Sequence, residues 1–166
     1  MWLLPGWAPV WVSRRSEASS AFENIEMVLD TAATDQIRLS PYLMDAVIAE
    51  FESFGPRRIQ AEGQYPRFEN CTRDLKLNKE ISRLRIQPGT QRSIRDPLGL
   101  DFPIINHLEF DYHRIGECTL EWKIGTTGAP NMVLIGTAYL SKMVTVFDKL
   151  HNRIGMCRRG YNPIQN

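Results

Sequence analysis

The sequence lacks long hydrophobic runs, an excess of either charge, and the glycine-rich loops that hold phosphate. No apolar stretch approaches the roughly 20 residues a bilayer-crossing helix needs, so no membrane partner is expected. Twenty basic residues against nineteen acidic ones leave a formal charge of +1. That balance gives no ground for a nucleic-acid partner or an anionic lipid surface. Neither a phosphate-binding loop nor a G-x-S-x-G elbow occurs, which removes the common nucleotide-binding and serine-hydrolase readings. The three histidines, His107, His113 and His151, lack metal-ligand spacing. Surface or turn positions are expected for them, with no metal and no cofactor. Cysteine is scarce. Three of them allow one disulfide and a leftover thiol, or three reduced thiols in a reducing compartment.

What is present fits a soluble globular chain, with 43% hydrophobic and 23% charged residues. A length of 166 residues suits one domain with one core, here 1–166. Met1 to Val12 is apolar, but Pro5 and Pro9 interrupt it and Arg14 and Arg15 follow rather than precede it. It makes a poor signal peptide. A first strand, with Trp11 and Val12 leading towards the strand that ends at Asp30, is the expectation.

The chain is organised around Ile25 to Pro41, IEMVLDTAATDQIRLSP. Ile25-Glu26-Met27-Val28-Leu29 reads as a buried strand, and it delivers Asp30 into four small residues, Thr31-Ala32-Ala33-Thr34. Asp30 is therefore expected at a strand end, held by backbone N–H groups and the Thr31 hydroxyl, with one face open. A carboxylate so placed can do acid/base work. The alternative is that Asp30 only initiates an Asx-type turn.

Beyond it, Gln36 to Leu39 alternates as a half-buried strand should, and Ser40-Pro41 reads as an N-cap followed by the first helical position. The helix Pro41 to Phe54 carries Leu43, Met44, Val47, Ile48 and Phe51 on one face and stops at Gly55-Pro56. Residues 56–70 read as loop. Leu75 to Leu77 and Leu84 to Ile86 read as short strands, and 88–101 as a mobile loop. Phe102 to Tyr112 and Thr119 to Ile124 are strand-like, and 125–130 is again loop. Only one helix of real length is expected, so the class is mainly β.

Met132 to Gly155, MVLIGTAYLSKMVTVFDKLHNRIG, has an apolar run ending in Gly136, then a short helix-like turn at Ala138-Tyr139-Leu140. Val144 to Asp148 follows as a strand, with a turn at His151-Asn152 returning into Arg153 to Met156. Together with the Asp30 stretch, this resembles the C-terminal lobe of the pepsin-like aspartic proteases. Asp30-Thr31-Ala32 stands where that family has an Asp-Thr-Gly. Leu134-Ile135-Gly136 resembles the strand that threads the catalytic loop, and VFDKLHNRIG resembles the closing hairpin. The resemblance covers Trp11 to Cys157. It implies a single lobe of an acid-protease β-barrel with one or two short helices, and a disulfide between Cys71 and Cys118. A secretory, vacuolar or lysosomal type of location is also implied. Asn70-Cys71-Thr72 fits the N-x-T glycosylation pattern, which matters only if the chain is secreted, and a bridged Cys71 would hinder it.

In that family two aspartates, one per lobe, share a proton and activate a water. By resemblance Asp30 is the catalytic candidate and Thr31 the hydrogen-bonding clasp between lobes. Asp148 is implied to be structural, and core packing is the first expectation for Trp122 and Tyr139. Ala32 departs from the family glycine and puts a Cβ at the closest approach of the two lobes. Ala33 replaces a Thr or Ser and has a counterpart in retroviral proteases. No second Asp-Thr-Gly or Asp-Ser-Gly occurs. The resemblance thus implies a peptide or protein substrate, with a second lobe or second copy required for activity. An apolar patch around Thr31 would be left exposed in an isolated lobe. Three classes follow: half of an aspartic endopeptidase completed by another chain or copy, a non-catalytic peptide- or protein-binding pseudo-protease, or a truncated, inactive product.

Overall fold

The computed structural model describes residues 2–4, 10–14, 17–22, 25–34, 37–59, 65–72, 75, 83–86, 100–125 and 131–158. The chain is mainly β, and its described strands, numbered in chain order, fall into four sheets. The first runs in the order β1 (Trp2–Leu4), β4 (Glu26–Asp30), β13 (Met132–Gly136), β5 (Ile37–Leu39), β12 (Trp122–Ile124). The second is β3 (Glu17–Phe22), β2 (Val10–Arg14), β8 (Arg83–Ile86), β9 (Leu100–Pro103). The third is β10 (Leu108–Phe110), β11 (Cys118–Leu120), β7 (Arg67–Glu69), β6 (Arg57–Ile59). A separate hairpin pairs β14 (Met143–Asp148) with β15 (Arg153–Arg158). Among the described residues no sheet closes on itself, so the expected barrel is a set of open sheets.

The apolar runs of β4 and β13 are continuous rather than alternating. Met27, Val28 and Leu29 are all buried, as are Val133, Leu134 and Ile135. Central strands covered on both faces need such runs. Helix α1 (Pro41–Glu52) packs the same five residues that its periodicity selects: Leu43, Met44, Val47, Ile48 and Phe51. Each such burial stabilises the fold by about 2 kcal/mol relative to an exposed side chain. The Phe51 ring meets Phe68 of β7 edge-on, with centroids 4.8 Å apart. One face of the helix thereby reaches the third sheet. Gly55 ends the helix at φ 112, where a Cβ would be strained, and its N–H donates to the Glu52 carbonyl at 3.0 Å.

Several sequence expectations need correction. Ser40 holds the N-cap position, but its buried hydroxyl makes no capping bond. Residues 56–70 are not simply loop, because β6 and β7 pair antiparallel there. Three-residue strands rich in arginine give no period to read; their partner supplies the order. The run 119–124 divides at Glu121, with β11 joining the third sheet and β12 the first. The Glu121 N–H is taken instead by the His107 carbonyl at 2.9 Å. The stretch 102–112 likewise breaks, at a 3-10 turn over Ile104–His107. Trp11 and Val12 lie in a strand, β2, but it belongs to the second sheet; β1 is what lies beside β4. Leu75 donates its N–H to the Thr72 carbonyl in a turn, while 76–77 lie outside the described residues. So does most of the mobile-loop expectation, 88–99, whereas Leu100 and Asp101 open β9.

Cys71 and Cys118 form a disulfide across 47 residues. It joins the end of β7 to β11, where Phe68 and Cys118 are register partners. Closing a loop of that length stabilises the fold by about 4 kcal/mol. Cys157 is exposed and free.

Candidate functional site

The site is a crossing of three strands. β4 runs up to Asp30, the chain turns through the small residues, and β5 returns. β13, more than 100 positions later, lies between the two, parallel to β4 and antiparallel to β5. Its register puts Gly136 opposite Asp30, Ile135 opposite Leu29 and Leu134 opposite Val28. All three of Leu134, Ile135 and Gly136 are buried. Small residues are what the turn requires, since a strand end must fit inside it.

At the tip, the Ala32 N–H donates to Asp30 Oδ1 at 3.0 Å, and the Ala33 N–H donates to the Asp30 carbonyl at 3.3 Å. Asp30 therefore does make an Asx-type turn, and the turn uses only one carboxylate oxygen. Oδ2 has no hydrogen-bond partner among the described residues, and the residue is half-buried. The carboxylate is fixed on one side and open on the other. That arrangement suits accepting a proton from, or donating one to, a bound water or substrate.

The Thr31 hydroxyl does not support Asp30 as expected. Thr31 is exposed, and the hydroxyl that braces the loop belongs to Thr137, which donates to the Thr31 carbonyl at 2.7 Å. The Thr137 N–H also donates, to the Ala33 carbonyl at 2.8 Å. Thr137 is the residue that sequence reasoning missed. Its one signal is its place immediately after Gly136, where the strand gives way to helix α2 (Thr137–Leu140). Thr31, Ala32, Thr34 and Thr137 are exposed and Ala33 is half-buried, so the expected apolar patch around Thr31 is instead small and mostly hydroxylic. Among the described residues the large exposed apolar side chains include Val144, Val146 and Leu150 on the hairpin and Tyr112 and Ile115 in the β10–β11 turn.

Behind α2 lies an aromatic cluster from four separate elements. Tyr139 packs on Phe102 with centroids 4.4 Å apart; Trp122 meets Phe102 edge-on and lies 5.2 Å from the His107 ring. Trp122 is fully buried, as expected of a core residue. His107 is a correction, for it sits in a turn yet is only 5% exposed. Burial first, and the Lys142 charge second, lower its imidazole from 6.5 to about 4. Asp111 closes the β10–β11 turn, its Oδ1 accepting the N–H groups of His113 at 2.8 Å and Arg114 at 3.2 Å. The first of those bonds is the main reason its carboxyl titrates below the usual aspartate value.

The three-strand crossing lies within a mainly β chain, and comparison with solved structures supports an aspartic-protease-like fold. The crystal structure of basic 7S globulin from soybean is similar at a TM-score of 0.59 and 12% identity. The match covers 90% of this chain but only 38% of that one, so the chain spans well under half the length of its structural neighbour. No protein-family model and no curated sequence matches.

Proposed function

We propose that the chain is one lobe of an aspartic endopeptidase-type domain, contributing Asp30 to a centre that needs a second carboxylate from elsewhere. The observation that carries this reading is the crossing itself. A late strand threads between β4 and β5 and holds Asp30 at the tip with one carboxylate oxygen unengaged. General acid and general base roles require two groups of different protonation, and like charges at close range divide them. Among the described residues no second carboxylate bonds to Asp30, so the isolated lobe is expected to cleave nothing measurable. Ala32 supports that expectation, because it is exposed in the turn and adds a methyl group where the resembled family has glycine. Thr31, also exposed there, would serve as the clasp to that lobe, with a peptide or protein as substrate.

The test is cleavage of a denatured protein at acid pH by the wild type, Asp30→Asn and Ala32→Gly over a range of protein concentrations. Silence in all three agrees with the half-site reading. Cleavage that rises with concentration and vanishes in Asp30→Asn would show instead that two copies complete the centre. Activity confined to Ala32→Gly would assign the silence to the added methyl.

A further inference from the structure

We propose that Asn70 is an acceptor for an N-linked oligosaccharide, and that closure of the Cys71–Cys118 bridge ends the period in which it can be modified. Asn70-Cys71-Thr72 is the only Asn-x-Ser/Thr triplet in the 166 residues. The fold treats its three members differently. Asn70 and Thr72 are exposed, while Cys71 between them is 4% exposed and covalently bridged. A sugar on Asn70 would attach at an exposed position, while Phe68 and Cys71 are buried. The two features also require one environment, since a stable disulfide needs an oxidising compartment and lumenal glycan transfer takes place in one.

The native geometry nevertheless closes the acceptor. Asn70 is held at φ 60, and the Cys71 N–H donates to the Gly116 carbonyl at 2.7 Å. A transferase must engage the Asn70 carboxamide and the Thr72 hydroxyl together on a stretch of chain it can draw out. With Cys71 sewn to β11 it cannot do so. Acceptance therefore belongs to the chain before the bridge forms. In the transfer, the Asn70 amide nitrogen bonds to the anomeric carbon of a lipid-linked diphospho-oligosaccharide. The anomeric C–O bond breaks, the lipid diphosphate leaves with the electron pair, and the nitrogen loses one proton. Bridge formation is the competing step, in which two thiols pass two electrons and two protons to a disulfide-carrying oxidase, which becomes a dithiol.

The full chain, led into microsomes by a cleavable secretion leader, would be analysed by mobility with and without N-glycosidase and by mass spectrometry at residue 70. The expected result is one glycosidase-sensitive shift, absent in Asn70→Gln and in Thr72→Ala. Because bridge formation takes seconds to hours, competition at similar rates predicts about two-fold higher occupancy in Cys118→Ser, and in wild type synthesised with a thiol reductant. The Cys118→Ser measurement does not need a folded product, and the reductant arm leaves the sequence unchanged. A glycosidase-insensitive band in wild type, Cys118→Ser and reductant-treated chain alike would overturn the acceptor assignment. A shift of equal occupancy in all three would overturn the gating by the bridge.

Discussion

Asp30 and Asp148 each end a strand, and both accept a backbone N–H from the turn that follows. Asp148 closes the β14–β15 hairpin, taking the His151 N–H on Oδ1 at 3.2 Å and meeting His151 Nδ1 with Oδ2 at 2.8 Å. Asp30 takes the Ala32 N–H on Oδ1 and leaves Oδ2 without a partner among the described residues. In the hairpin turn both Asp148 oxygens meet His151, three residues further on. The Asp30 turn is braced from 106 residues away by Thr137. A carboxylate consumed by its own turn is structural. One whose turn is held from outside keeps an oxygen to offer.

That contrast is most easily broken at the inserted strand. Ile135 is fully buried, and Ile135→Ala should cost about 4 kcal/mol, through lost burial and the cavity left behind. The comparable change on the hairpin, Val146→Ala, removes a side chain already 59% exposed and should move stability by about 0.5 kcal/mol at most. Urea unfolding of the two variants measures both; equal losses would dissolve the distinction between crossing and hairpin.

Acid sharpens it next. His107 supports the aromatic cluster behind α2 and has its imidazole lowered from 6.5 to about 4. Between those values the unfolded chain takes up a proton that the native cluster refuses. Stability is therefore full above pH 6.5, declines as pH falls towards 4, and has lost about 3 kcal/mol below that. Denaturant midpoints at pH 7, 5.5 and 4, wild type beside His107→Phe, test this; a midpoint no more pH-sensitive in wild type than in the variant would refute it.

The smallest effect compares the two turns directly. Thr137→Val removes the long-range brace and should cost about 1 kcal/mol. Asp148→Asn keeps the turn's acceptor oxygen and weakens a partly exposed contact to His151, for about 0.5 kcal/mol. Thermal unfolding of the pair would rank them, and the opposite order would mean that Thr31 is held by something other than the Thr137 hydroxyl.

The sequence made much of the crossing legible, because its parts carry local signals. An unbroken apolar run marks a buried strand, and four small residues after Asp30 mark a tight turn that leaves its carboxylate unshielded. Helix α1 was readable for the same kind of reason, since its five core residues follow its own period. The β6–β7 pair is not, because Arg57, Arg58 and Arg67 show no alternation of polarity, and Phe68 of β7 packs on Phe51 of α1. The Thr119–Ile124 run reads as one strand, because nothing at Glu121 announces that its N–H will be claimed by the His107 carbonyl.

Local pattern alone therefore gives the strands of the crossing, helix α1, and a carboxylate delivered into a tight turn. Those depend on side-chain period and size, which neighbouring residues reveal. Only the tertiary structure decided that Thr137 rather than Thr31 holds the turn, that the flank of Asp30 is hydroxylic rather than apolar, and that His107 is buried. Each of these depends on which distant segment arrives to satisfy a polar group or exclude water, and no local pattern records that arrival.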